Sequence, residues 1–67
     1  MTKAEIIQSE REFLTPADIA EILESDAQSI RQQAEVDAAA LGFPVVRIGT
    51  RTKIPRQRFV EFMGWLL

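Results

Sequence analysis

The sequence predicts a mainly α-helical protein with one small β-hairpin, and three observations support this prediction. Residues 16–24 and about 27–40 both carry apolar residues at helical spacing, separated by a short polar break. Residues 45–54 change to an alternating pattern centred on Gly49-Thr50, which is typical of a hairpin. A helical repeat then starts at Pro55 and runs to the C-terminus. The chain therefore contains a helix-turn-helix pattern, a hairpin and a final helix.

Three predicted helices follow a side chain that can accept a hydrogen bond from a free N–H of the first turn: Thr2, Thr15 and Asp26. Thr2 and Glu5 fit a capping box, which predicts a short helix over about residues 3–11 before the helix-turn-helix. Asp26 is assigned to capping the helix over about 27–40.

Core positions are predicted from the same spacing. The helix over about 27–40 presents one apolar face, formed by Ile30, Ala34, Ala38 and Leu41. Gly42 is placed to end this helix in a left-handed conformation. The aromatic residues are assigned to the core because a small chain needs their area to bury: Phe13, Phe43, Phe59 and Phe62.

The hairpin has two candidate registers. A two-residue turn would pair Val46 with Lys53, whereas a three-residue loop would pair Val46 with Ile54. We prefer the three-residue loop, Gly49-Thr50-Arg51, because it keeps one face apolar. It would also place Arg47 and Lys53 together on the other face.

The charges divide the chain into two opposed regions. Residues 1–46 hold nine acids and three bases, a net charge of −6, while residues 47–67 hold five bases and the single acid Glu61. The overall charge of −2 conceals this difference. A basic region of this kind is suited to a polyanion such as nucleic acid.

Composition excludes several other classes. The chain has no cysteine and no histidine, so disulfides, thiolate metal sites and the commonest general base are missing. We expect no enzyme activity, no metal and no cofactor. No apolar run is long enough to span a membrane, so we expect a cytoplasmic protein without a membrane partner. Its length allows one domain, with residues 1–12 as a short N-terminal helical segment and residues 13–67 as the main unit.

Three segments carry a more specific pattern: LTPADIAEIL at 14–23, DAQSIR at 26–31 and VRIGTRTKIPR at 46–56. Together they resemble the small helix-turn-helix proteins of the excisionase and MerR-like winged-helix group, over about residues 13–63. The most specific part is the junction Gly-x-Arg-x-Lys-Ile-Pro-Arg at 49–56. The turn differs, because it has Glu24-Ser25 where the group commonly has glycine and a hydrophobic residue. The resemblance implies a winged helix-turn-helix fold that binds DNA, often encoded on phages and integrative elements.

Candidate DNA contacts fall into two sets. On the second helix of the helix-turn-helix, residue types that can contact base edges are Gln28, Ser29, Arg31 and Gln32. Contacts to phosphate or the minor groove are predicted for Arg47, Arg51, Lys53, Arg56 and Arg58. The alternative for Arg56 and Arg58 is pairing with the acidic half, and for the other seven it is an ordinary solvated surface.

The leading hypothesis is a sequence-specific double-stranded DNA-binding protein, either an excisionase-like factor or a small transcription regulator of a phage or mobile element. Its expected partners are DNA and an integrase or recombinase, or a second copy through the apolar C-terminus, Trp65-Leu66-Leu67. The alternative hypothesis is a protein-interaction module whose acidic half binds a basic partner or mimics DNA.

Overall fold

A computed structural model of the chain describes residues 1–65, and these form four α-helices and a three-stranded antiparallel sheet. The elements are, in chain order, α1 Lys3–Gln8, β1 Phe13–Leu14, α2 Pro16–Ala20, α3 Ala27–Asp37, a 3₁₀ helix Ala38–Leu41, β2 Val46–Ile48, β3 Arg51–Pro55 and α4 Arg56–Phe62. The strand order is β1-β3-β2, with β3 in the centre. The predicted order of helices and hairpin is confirmed, and β1 is an additional strand. Each helix found between residues 1 and 65 is too short or too polar to cross a membrane.

The three predicted N-caps are confirmed. Thr2 Oγ1 accepts a hydrogen bond from the N–H of Glu5, and the Glu5 carboxylate accepts one from the N–H of Thr2. Hydrogen bonds to the Glu5 carboxylate, first from the Thr2 N–H and second from the Thr2 side chain, lower the pKa of Glu5 below its usual value. Thr15 forms the same reciprocal pair with Asp18 at the start of α2. Because such caps depend on residues three positions apart, local sequence is enough to identify them.

The helix ends differ from prediction. Helix α1 ends at Gln8 rather than near residue 11, because Ser9 leaves the helical region. After α2, the N–H of Ser25 donates to the carbonyl of Ala20, and the N–H of Glu24 donates to that of Glu21. This pattern is a Schellman motif, and it requires a left-handed residue, here Glu24 with φ of 53°. The turn between α2 and α3 therefore places a non-glycine residue where glycine is usual.

The later helices are also interrupted. Helix α3 ends at Asp37, whose φ of −158° breaks the helix predicted to reach residue 40, and the chain continues as the 3₁₀ helix. Gly42 then has φ of 88°, as predicted, and an added Cβ there would lie 2.8 Å from the Phe62 ring. Helix α4 stops at Phe62 instead of reaching the C-terminus. Leu66 and Leu67, predicted to be apolar contact residues, lie outside the described residues.

The preferred hairpin register is wrong, and the two-residue turn is the one that forms. Val46 pairs with Lys53 and Ile48 with Arg51. Gly49 has φ of 62° and Thr50 a negative φ, the combination found in a type II′ turn with glycine first. The turn sets the register. The hairpin extends beyond the core, so the pairing does not need to keep Val46 and Ile48 on a buried face.

The core lies between the sheet and the helices. Its fully buried side chains come from five different elements: Ile6, Leu14, Ile19, Ile54 and Phe59. Ile30, Phe43 and Val60 complete it, with the Phe43 ring set edge-on to Phe59 at 5.2 Å.

Two of the four phenylalanines depart from their predicted place in the core. Phe62 is 48% exposed although it contacts Phe43, so its assignment to the core is wrong. Phe13 is only partly buried. Trp65 turns back after α4 and packs against Phe59. The described part of the apolar C-terminus therefore contacts the protein's own core.

Candidate nucleic-acid interface

The start of α3 is held by Asp26. The N–H of Ser29 donates to Asp26 Oδ1 at 2.7 Å, and the Ser29 hydroxyl donates to Oδ2 at 3.0 Å. These two bonds lower the pKa of Asp26, with the backbone bond contributing most. Because the Ser29 hydroxyl is already engaged, Ser29 is a poorer candidate for base contact than its neighbours on the helix.

One stripe of α3 points away from the core. Ile30 and Ala34 bury the inner side of the helix, and the opposite side carries Gln28, Gln32 and Val36 at successive intervals of four residues. Val36 is 83% exposed, the largest exposure among the bulky apolar side chains of residues 1–65. The stripe thus presents two amide side chains and one apolar side chain in a row.

The β2–β3 hairpin divides its basic residues between two faces. Thr52 and Ile54 are buried, so they face the core, and Arg51 and Lys53 lie on the outer face. Arg47 is paired with Thr52 and therefore lies on the side opposite Lys53. The prediction that Arg47 and Lys53 share a face is wrong, since it depended on the other register.

A cleft of about 610 Å³ lies between residues 11–16 and the hairpin, and Arg31 lines it from α3. Its lining residues are Arg11, Glu12, Phe13, Leu14, Thr15, Pro16, Arg31, Thr50, Arg51, Thr52 and Lys53. Four of these are basic and one is acidic. Three of the sequence-predicted contacts, Arg31, Arg51 and Lys53, are brought together here from separate elements.

The electrostatics of the cleft depend on which cations are already paired. Arg11 lies 3.1 Å from Asp18. Burial alone would raise the pKa of Asp18, but hydrogen bonds from Thr15 and the Arg11 guanidinium outweigh it and lower the pKa. Within residues 1–65, no carboxylate lies within ion-pair distance of the other three cations of the cleft. The cleft therefore keeps most of its positive charge.

Two predicted contacts have structural partners away from this cleft. The Arg56 guanidinium donates to the carbonyl of Arg11 at 3.0 Å and to those of Ile6 and Ile7 at 3.4 Å each. It thereby links α4 to the last turn of α1 and to the loop that follows, where the Ile6 carbonyl also accepts a hydrogen bond from the N–H of Ser9. Arg58 forms an ion pair with Glu61 at 3.2 Å, one helical turn along α4. Both arginines therefore have partners within the protein.

Some residues of the candidate interface were not found from sequence. Val36 lies outside the predicted apolar face of α3, and this position in the sequence could have indicated that its side chain is exposed. Thr50 and Phe13 join the cleft only because of the hairpin register and the unpredicted strand β1. Among residues 1–65, no three acidic side chains are grouped closely enough to hold a metal ion.

Comparisons with family models, with curated proteins and with solved structures found no significant match to the chain.

Proposed function

We propose that the protein is a non-enzymatic, sequence-specific double-stranded DNA-binding protein of the winged helix-turn-helix type. In this proposal α3 enters the major groove and the β2–β3 hairpin acts as a wing against the DNA backbone. The observation that carries the proposal is the position of Arg31, Arg51 and Lys53. They come from two elements, line one cleft beside the exposed stripe of α3, and have no ion-pair partner within residues 1–65.

The dimensions of α3 support the proposal. An α-helix is about 10–12 Å in diameter, which fits a major groove about 12 Å wide, and the eleven residues of α3 give a length of about 16 Å. Gln28 and Gln32 have the donor and acceptor groups that pair with an adenine edge. Val36 adds an apolar group of the kind that contacts a thymine methyl. The exposed stripe is therefore chemically suited to read a short sequence.

The basic side chains supply the contacts that do not depend on sequence. If about four or five basic side chains neutralise phosphates, the logarithm of affinity should fall with the logarithm of salt concentration at a slope of about −4. Arg47 contributes from the opposite face of the hairpin, where it is exposed. A slope near zero would contradict an electrostatic mode of binding.

The biological role that fits such a module is that of an excisionase-like factor or a small transcription regulator of a phage or mobile element. Both roles require the same groove contacts. They differ in whether the bound protein bends DNA and contacts an integrase or recombinase. A bending assay on the selected site, with and without an integrase or recombinase, separates the two.

The test of DNA binding is selection from a pool of random duplexes at about 50 mM salt, followed by sequencing. The informative variant is Arg51→Gln/Lys53→Gln, which removes two charges from the cleft. The matched control is Lys3→Gln/Arg58→Gln, which removes the same charge from α1 and α4. We expect a recovered motif for wild type and control, and at least a tenfold loss of affinity for the cleft variant. Equal losses in both variants would show that only net charge matters.

A second candidate function is supported by the acidic half. Its exposed carboxylates include Glu21, Glu24 and Glu35, and its net charge of −6 suits a basic protein partner. Failure of the wild type to enrich any sequence would favour this function. Binding to a basic partner that is kept by Arg51→Gln/Lys53→Gln but lost on reversal of Glu21 and Glu24 would then establish it.

A further inference from the structure

We infer that the cleft lined by Arg31 and the hairpin holds one phosphodiester group of the DNA backbone, and that Arg31 is a phosphate ligand rather than a base-reading residue. This inference rests on the proposed function. It changes the role assigned to Arg31, and it leaves Gln28 and Gln32 as the candidate readers of base edges.

The position of Arg31 on α3 is the first ground. Successive helix residues are rotated by about 100°, so Arg31 lies about a quarter turn from Gln32 and from the centre of the exposed stripe. It therefore sits on the flank of the helix, on the side that lines the cleft. When the exposed stripe faces the floor of the major groove, a side chain on this flank faces the groove wall, which is the phosphate backbone.

The composition of the cleft is the second ground. Arg31 lines it from α3, while Arg51 and Lys53 line it from the hairpin, so the positive charges lie on two sides of one space. Two guanidinium groups and an ammonium suit a phosphate, which accepts hydrogen bonds from an arginine fork. The volume of about 610 Å³ leaves room for the sugars on either side of the phosphate.

The other two charged residues of the cleft lining, Arg11 and Glu12, also affect how it would bind a phosphate. Arg11 lies in the same cleft, but Asp18 holds it at 3.1 Å, so its charge is partly neutralised. Glu12 is the acidic residue of the cleft lining, and its side chain is exposed. A bound phosphate would therefore experience repulsion from Glu12, and removal of that charge should strengthen binding.

The first test compares Arg31→Ala with Gln32→Ala on the selected sequence, on single-base variants of it and over a salt series. We expect Arg31→Ala to weaken binding about tenfold on every sequence, to keep the base preference, and to reduce the salt slope by about one. Gln32→Ala should instead keep the salt slope and lose preference at one position. Thermal unfolding of each variant confirms that it is folded.

The second test uses Glu12→Gln, with Glu10→Gln as the matched control outside the cleft lining. We expect tighter binding for Glu12→Gln, roughly two- to fivefold, and a smaller change for Glu10→Gln. Replacing single phosphates of the site with neutral methylphosphonates should also identify one position at which Arg31→Ala has no further effect.

The outcomes distinguish this inference from the function on which it rests. Loss of preference for a particular base in Arg31→Ala would overturn the phosphate assignment while DNA binding itself is kept. An Arg31→Ala variant with wild-type affinity and salt slope would also overturn it. Absence of DNA binding by the wild-type protein would overturn both.

Discussion

Helix α1 and the β2–β3 hairpin are both short segments at the edge of the protein, but they differ in how they are held. Ile6 of α1 is fully buried, and the carbonyls at the end of α1 accept hydrogen bonds from Arg56. All three residues of β2 are exposed, with Ile48 at 60%. Helix α1 is therefore part of the structural core, while strand β2 of the hairpin is exposed to solvent.

The difference shows that charge alone does not identify the structural role of a segment. An amphipathic helix in an acidic region supplies one of the fully buried residues, Ile6. The hairpin exposes two β-branched residues, Val46 and Ile48, that a pattern-based assignment would bury. We expect substitutions at the buried position of α1 to change stability and substitutions at exposed positions of the hairpin to change binding. The following predictions test that separation.

The largest expected effect is that of Ile6→Ala. Removing a fully buried isoleucine should lower the free energy of unfolding by about 2–5 kcal/mol, which is a large part of the stability of a small domain. Ile7→Ala is the matched control, since Ile7 is 40% exposed and should cost about 1 kcal/mol or less. Urea unfolding measures both. Equal costs at the two positions would contradict the placement of α1 in the core.

On the hairpin side, Ile48→Ala should change the free energy of unfolding by about 0.5 kcal/mol or less, because its side chain is largely exposed. A loss as large as that of Ile6→Ala would show that the hairpin is structural, and the comparison would fail.

A smaller effect is expected for Arg56→Ala. Its guanidinium joins α1 to α4 through three carbonyls, so its removal should cost about 1–2 kcal/mol. Arg58→Ala loses only an exposed ion pair and should cost about 0.5 kcal/mol or less. Calorimetry on the two variants measures the difference. Arg56→Ala with unchanged stability but weaker DNA binding would return Arg56 to the candidate interface.

A gain of stability is expected for Glu24→Gly. Glu24 has φ of 53°, which glycine adopts without strain, so the substitution should raise the free energy of unfolding by about 0.5–1 kcal/mol. Glu21→Gly is the control, because Glu21 has right-handed helical angles and should lose about 1 kcal/mol. A destabilised Glu24→Gly variant would contradict the presence of backbone strain at this position.

The smallest expected effect is a loss of folding stability at low pH. The pKa values of Glu5, Asp18 and Asp26 are lowered in the folded protein, below usual values of 4.5, 3.8 and 3.8. Their contribution to stability is therefore complete above about pH 5, and it is lost as the pH falls through the lower folded values. Thermal unfolding between about pH 7 and about pH 3 should show this decline. Asp26→Asn should show a shallower decline than wild type.

Local sequence predicted the caps and helices well, because each cap depends on residues three positions apart. It did not predict β1, since this strand has only two residues and Leu14 pairs with Ile54, forty positions later. The hairpin register was predicted wrongly because the three-residue loop was preferred for keeping one face apolar. That face is not needed, since the core does not extend beneath the turn. In the candidate site, the sequence identified the basic residues but not their positions. Which of them line the cleft, lie on the opposite face of the hairpin or bind α1 depends on tertiary contacts.

Arg56 illustrates this limit most clearly. The sequence places it near a helix start, where a basic side chain is suited to an anion. In the structure its partners are carbonyl groups 45 to 50 positions earlier in the chain. No local pattern contains that information.

The pairing of Leu14 with Ile54 also affects how the chain folds. The helix-turn-helix segment is synthesised before β3 and α4, which contribute Ile54, Phe59 and Val60 to the core. During synthesis it therefore has an uncovered apolar side until those residues emerge. We expect a single cooperative folding step that begins only after the second half of the chain is available, and peptides limited to residues 13–45 should be unstructured by circular dichroism.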